Sequence, residues 1–347
     1  MVGAGVLGLA YATKYLGWTA GTVVLLLSWL ISLYTLHQLA DLAEVLDREG
    51  NPVFDEEGRP IRVNRASLIL IHVPSFNSLR WVSLVAAAMS LSYSSIGIGG
   101  SLAAGKQPGV EYNLDGYSTS AGIFNVFNAL GIVAFAYGVM EIQASMRNPE
   151  PKTPGGPPGR TYYPMMKGVY VAYAIVAWCY FGNSFAGYHS FGNAVEDNVL
   201  ASIPGPDWII AMADMFVVIH VIGSYQVFTM PVMDMIEVKF HKLEWKMTAF
   251  RRFMYRTTYV VVIAVVACVI PFFGSLMGFI GALGTGPTTF WLPPLIWLKV
   301  KKPPITSWHF WASWVCIILG ILVTILGAIG GLRDIIVNAT SYKPIVG

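Results

Sequence analysis

From Thr257 to Leu298 the chain runs 42 residues without one Asp, Glu, Lys or Arg, interrupted only by Pro271, glycine-rich turns and the Pro293-Pro294 pair. A bilayer core about 30 Å thick takes about 20 apolar residues per helix, so a run of this length predicts two membrane spans folded back at Pro271. A soluble fold cannot hide such a stretch, and composition agrees, with 55% hydrophobic and 12% charged residues. The chain is therefore read as an all-α polytopic membrane protein, with the lipid bilayer as its first partner.

Uncharged runs set the expected spans: Val2 to Thr13, Gly21 to Ala40, Trp81 to Gly105, Ser118 to Met140, Gly168 to Val195, and Trp208 to Met233 interrupted by Asp214. With the paired run and a last one from Pro303 to Leu332 they predict nine spans. Ser67 to Ser75 is apolar but too short to cross, and Pro74 makes it a surface or re-entrant piece. The N-terminus lacks the charged region and cleavage site of a signal peptide, so its first apolar stretch reads as a mature span or the stump of one.

The net charge of +3 implies no nucleic acid; its information lies in how the basic residues are distributed. Successive connections carry five Lys and Arg (Asp41 to Arg80), one (Lys106 to Tyr117), four (Ile142 to Lys167), none (Glu196 to Asp207), six (Val238 to Arg256), none at Pro271 and three (Lys299 to Lys302). Basic connections face the cytoplasm, which predicts a cytoplasmic N-terminus and an extracellular C-terminus. Asn338-Ala339-Thr340 is then either a glycosylation site or an unused sequon. Two connections have soluble character: a mixed-charge linker over residues 41–66 and a Pro/Gly-rich loop over 148–164.

Several chemistries find no residues to carry them. No phosphate-binding Gly-rich Lys-Ser/Thr loop, no clustered Cys and His, and no nucleophile–base pair recurs near one face, so an ATP engine, a metal, an organic cofactor and an enzyme active site are not expected. Cys179, Cys268 and Cys316 each sit in an apolar run and read as small hydrophobes. What remains is polar or helix-breaking chemistry at membrane depth, where it is costly.

Three places carry it. MVGAGVLGL (Met1 to Leu9) sets Gly3, Gly5 and Gly8 in six positions. That spacing lets a helix open toward a solute, whose carboxylate the exposed amides of a half-helix suit, or lets two helices pack closely. VAFAYGVMEIQ (Val133 to Gln143) offers a second break at Gly138, with Glu141 as either a proton-sensitive group or an interface anchor. VVIHVIGSYQVFTMPVMDMIE (Val217 to Glu237) places His220 and Ser224 on one helical face, with Asp214 six residues upstream. A histidine with an ordinary value of about 6.5 can carry a proton at working pH or serve as a hydrogen-bonded tie between helices.

The blocks GAGVLGL, TVVLLLSWLISLYTLHQL, SFNSLRWVSLVAAAMSLSYSSI, GNAVEDNVL, IHVIGSYQ, GPTTFWLPPLIWL and GAIGGLRDI together resemble the lysine/histidine-transporter-like branch of the amino acid/auxin permease family. The resemblance implies a leucine-transporter-type fold of two inverted five-helix repeats plus one span, and proton-coupled amino acid symport at the plasma membrane. By position it places substrate binding at Gly3, Ala4, Gly5, Val6 and Gly8 and at Phe135, Ala136, Tyr137 and Gly138, with Ser224 alongside. His220, Glu141 and Asp214 are the proton-coupling candidates. Two departures accompany it: a charged linker stands between Asp41 and Ser67 where the family carries a third helix and most of a fourth, and Gly138-Val139-Met140 replaces the Gly-His-Asn expected after the second break. The first repeat is thus expected to be incomplete. A truncated, non-transporting member of the family is the alternative.

Overall fold

The computed structural model describes residues 3–42, 80–113, 120–138, 160–242, 248–269 and 272–341, and among them every regular element is helical. A 3-10 turn, Ala4–Gly8, leads into α1 (Leu9–Leu42), followed by α2 (Arg80–Ala104), α3 (Ser120–Ala136), α4 (Tyr162–Phe191), α5 (Asp207–Lys242) and α6 (Ala249–Val269). Next come α7 (Phe273–Ile280), two π turns (Gly281–Thr285 and Pro287–Trp291), α8 (Leu292–Lys301) and α9 (Trp308–Ser341).

Six of these helices are long and apolar enough to cross a membrane, against the nine spans expected. Three features account for the difference. Two helices that meet at a kink at Gly17 are numbered together as α1, so the first two expected spans count once. There φ is 71° and ψ 174°, a conformation open to glycine, and Thr13 returns to within contact of Gly21. The run through Ser120–Ala136 holds only 17 helical residues before it breaks. Phe273–Lys301 is interrupted by its π turns, each a place where a helix widens and its ladder is re-satisfied. The long uncharged run does divide as expected, into α6 on one side of residues 270–271 and α7 to α8 on the other.

The core gathers around the N-terminal turn: Val6, Leu7 and Leu9 pack with Ile132 and Val133 of α3, Cys179 and Tyr180 of α4 and Tyr93 of α2. A second cluster, Leu36, Ala40, Met165, Met166, Val169 and Tyr173, joins the far ends of α1 and α4. Among the described residues the buried polar side chains are Ser, Thr, Asn, Gln and His, with no buried Asp, Glu, Lys or Arg. Valines and isoleucines of α5, α6 and α9 stand exposed, as lipid-facing surface requires.

Cys179 and Cys316 are buried, and Cys268 is exposed on the apolar surface of α6, where a small hydrophobe also fits. The sequon lies inside α9, and the Asn338 amide donates to Ser275 Oγ at 2.9 Å, a helical and engaged asparagine instead of the free loop that glycosylation takes. The Pro271 turn, the 41–66 linker beyond Leu42, the short Ser67 to Ser75 stretch and most of the 148–164 loop fall outside the described residues.

Candidate functional site

Two interrupted helices meet in the core. On one side Gly3, in extended backbone (φ −120°, ψ −178°), opens the 3-10 turn whose Gly5, Val6, Leu7 and Gly8 are buried. The first amides of a helical turn have no acceptor further along it, so this end presents N–H groups and the positive end of a dipole. On the other side α3 stops at Ala136, and the chain turns through Tyr137 and Gly138, whose amides donate to Val133 O and Phe135 O, both at 3.2 Å.

The two breaks touch. A Cβ added to Gly5 would lie 2.9 Å from Ala136 Cα and 3.0 Å from the Phe135 ring, so only glycine allows this approach. One added to Gly8 would strike Met277 of α7, and one added to Gly138 would lie 2.9 Å from Thr285 Cγ2 in the first π turn. Thr285 Oγ1 in turn donates to Ala134 O at 2.9 Å, and Tyr180 OH donates to Ala136 O at 2.5 Å. Carbonyls freed where α3 ends are thus taken by side chains of neighbouring elements, which fixes the break in place.

Hydroxyls crowd the same place. Tyr137, 3% exposed, packs edge-on against Tyr180 with ring centroids 5.1 Å apart. Among the described residues the buried hydroxyls of Tyr137 and Tyr93 have no hydrogen-bond partner, and a buried hydroxyl left so is costly.

The remaining candidates divide. His220 is buried on the side of α5 that faces α2, where its ring stands edge-on to Tyr93. Its Nδ1 lies 2.9 Å from Ala86 O; a carbonyl only accepts, so Nδ1 carries the hydrogen. Nε2 then accepts from Ser224 Oγ at 3.0 Å. Ser224 is therefore a partner of His220, and no hydrogen bond among the described residues joins either of them to the paired breaks. Asp214 is exposed on another face of α5 and is not brought to the site. Glu141 lies outside the described residues.

Other polar residues were not singled out from the sequence. Asp334 of α9 accepts from Asn128 Nδ2 of α3 at 3.1 Å and from Ser275 Oγ of α7 at 2.7 Å, joining three elements. Near it Lys14 donates to Val195 O at 3.2 Å and sits over the Tyr11 and Tyr15 rings, and Asp197 accepts from the amide of Gly274. At the opposite end of the bundle, Asp41 of α1 pairs with Arg160 at 3.2 Å and Lys301 at 2.9 Å, and accepts from Trp297 Nε1. Asn128 in an apolar run, and Asp41 at the end of one, were the available signals; their partners lie too far off in sequence to be found by spacing.

The family model described as transmembrane amino acid transporter protein matches residues 1–60 and 63–333. Lysine histidine transporter-like 1 of Arabidopsis thaliana is 40% identical over 402 aligned positions, covering 99% of this chain and 87% of the relative. Lysine histidine transporter-like 6 of the same organism is 37% identical, with 99% and 90% covered. Amino acid permease 6, also of Arabidopsis thaliana, is 28% identical, with 99% and 89% covered.

Proposed function

The chain belongs to the transmembrane amino acid transporter protein family, and we propose that it is a proton-coupled symporter taking up amino acids across the plasma membrane. Membership makes it a multi-pass membrane protein of a transporter family, not an enzyme. The observation that carries the finer reading is the meeting of two helix breaks at Gly5 and Ala136, with buried Tyr93 and Tyr137 hydroxyls nearby. The substrate carboxylate is placed at the open start of the turn, where the first amides have no acceptor, with Gly3, Ala4, Gly5, Val6 and Gly8 lining it, and the turn at Phe135, Ala136, Tyr137 and Gly138 completes the site.

His220 is the proton group in this reading. Protonation at Nε2 turns an acceptor into a donor, so the Ser224 hydroxyl must rotate to accept, and the tie between α5 and α2 changes with the proton load. Glu141 is a second candidate, close in sequence to the second break.

The fold proposed is the leucine-transporter type, one domain over residues 1–347, with about nine spans and an incomplete first repeat. The charged 41–66 segment would be a cytoplasmic linker in place of a helix pair, and 148–164 a second cytoplasmic loop. In support, the aligned span of 402 positions exceeds the chain's own 347 residues, so the relative carries internal residues that this chain lacks. Alternating Lys and Arg support a cytoplasmic N-terminus and extracellular C-terminus.

The test is uptake of a labelled amino acid panel at about pH 5.5 and about pH 7.5, either side of an ordinary histidine. Transport-deficient cells with verified surface expression are used. Uptake that rises at acid pH is expected. Uptake without acid stimulation sinks the coupling, and no uptake beside an active relative sinks the transport activity of this chain.

A further inference from the structure

Two hydroxyl groups sit in the core where nothing in the packing calls for them. Tyr93 of α2 is 0% exposed and Tyr137, at the break after α3, is 3% exposed, yet neither hydroxyl has a hydrogen-bond partner among the described residues. Phenylalanine would fill the same space with the same ring and leave no polar atom to satisfy, so the fold gains nothing from either oxygen. A buried group kept unpaired marks a place where something else completes the bond.

Both lie against the paired breaks. Tyr93, Ala136, Tyr137 and Tyr180 belong to one buried cluster with Val6, Leu7 and Leu9, and the 3-10 turn Ala4–Gly8 touches α2, α3 and α4, which carry or adjoin these rings. Tyr137 stands edge-on to Tyr180 at 5.1 Å. The Tyr180 hydroxyl, which donates to the Ala136 carbonyl, lies within electrostatic reach of both unpaired hydroxyls.

The chemistry of this cluster selects a kind of solute. Each phenol hydroxyl both donates and accepts, and it carries no charge. No Asp, Glu, Lys or Arg is buried among the described residues, so a charged side chain brought here would lose its water without gaining a counter-ion. A purely apolar side chain would leave both hydroxyls unpaired. A neutral amide or hydroxyl group, which donates and accepts, pairs with them.

We propose that Tyr93 and Tyr137 form the side-chain subsite of the transport site and select neutral amino acids whose side chains hydrogen-bond, with glutamine as the type. The inference rests on the reading of the paired breaks as the substrate site and narrows it. The open start of the turn takes the carboxylate, and the two hydroxyls read the other end of the molecule.

The test is binding of labelled glutamine to the purified full chain in detergent, with leucine, lysine and glutamate as competitors. Glutamine should bind about tenfold more tightly than leucine, which is of similar size, in line with two neutral hydrogen bonds, and lysine and glutamate should compete more weakly still. Tyr93→Phe and Tyr137→Phe should each reduce the preference for glutamine over leucine about threefold while melting no lower than the parent, since each removes an unpaired hydroxyl and no packing. Leucine or either charged amino acid binding as tightly as glutamine would overturn the proposal. A preference unchanged in both variants would also overturn it and leave the hydroxyls to bound water, and so would the absence of glutamine binding. Binding with this preference but without uptake in cells would support the subsite and count against transport, whereas uptake with no preference for glutamine would overturn the subsite alone.

Discussion

Between α3 and α7 the backbones meet where Gly131 faces Gly278, whereas α6 is tied to its surroundings, among the described residues, by side chains of its first two turns: Arg252, Tyr255 and Arg256. A Cβ on Gly131 would fall on the Gly278 carbonyl. None of the spanning window of α6 is buried. In a bilayer, lipid tails are as apolar as valine, so hydrophobicity alone does not hold a helix to its neighbours; close approach and polar ties do. The glycine-lined half has close approach, and the valine-rich helix has polar ties at one end. Gly131→Val should therefore cost about 3 kcal/mol or more and remove most monodisperse protein after detergent extraction, because neither backbone can yield. Val262→Leu on α6 should stay within about 0.5 kcal/mol. Equal recovery of the two variants would break the contrast.

The next effect sharpens the contrast within the packed half, where Gly5 serves the site as well as the packing. Gly5→Leu must displace Ala136 and Phe135, closing the space between the two breaks. Uptake should fall more than about tenfold at unchanged surface expression, while Gly3→Ala, with nothing within 4 Å of the added carbon, should keep most of it. Equal losses at residues 3 and 5 would mean that the approach at Gly5 does not matter to transport.

Much of this was legible in the sequence, and the gaps have definite causes. Uncharged runs located the helices because bilayer thickness sets their length, and GAGVLGL and VAFAYG marked both breaks because glycine spacing is local. Long-range facts were hidden: that Gly5 rests on Ala136, that Tyr180 caps the Ala136 carbonyl, and that Asp334 gathers Asn128 and Ser275. Spacing placed His220 and Ser224 on one face but could not say that Ser224 is spent on the histidine. Asp214 illustrates the converse: a carboxylate in a span marks something polar, and only the helix's orientation shows that it faces outward.

At the end of the bundle where Asp41 lies, the ties are ionic and partly exposed. Asp41 holds Arg160 and Lys301, whose side chains are 19% and 32% exposed, and so joins α1 to the segment before α4 and to α8. Asp41→Ala leaves two cations facing each other and should cost about 1 kcal/mol, read as a lower melting temperature in detergent that falls further at low salt. Asp41→Asn keeps an acceptor for Trp297 Nε1 and should lie between the two. A salt-independent loss would assign the cost to packing instead of charge.

The smallest effect concerns the tie of α6 itself. Glu237, beyond the membrane-spanning part of α5, accepts from the Tyr255 hydroxyl and pairs with Arg252 at 3.2 Å and Arg256 at 3.1 Å. Burial pushes its carboxyl upward, and the Tyr255 hydrogen bond and the two guanidinium groups outweigh that, holding it below the ordinary carboxylate range. A carboxyl lowered on folding stabilises the folded chain above its unfolded value, and that contribution is lost as pH falls through the folded one. Because the arginines are about half exposed, at 48% and 52%, the tie is worth less than about 1 kcal/mol. Glu237→Gln should therefore melt slightly below the parent near neutral pH, with the gap starting to close as pH falls below about 4.5 and gone only below the lowered folded value, where both chains carry a neutral group. A gap that persists in acid would place the stabilisation in the Tyr255 hydrogen bond, which glutamine and protonated glutamate keep differently, and would leave α6 held by geometry instead of charge.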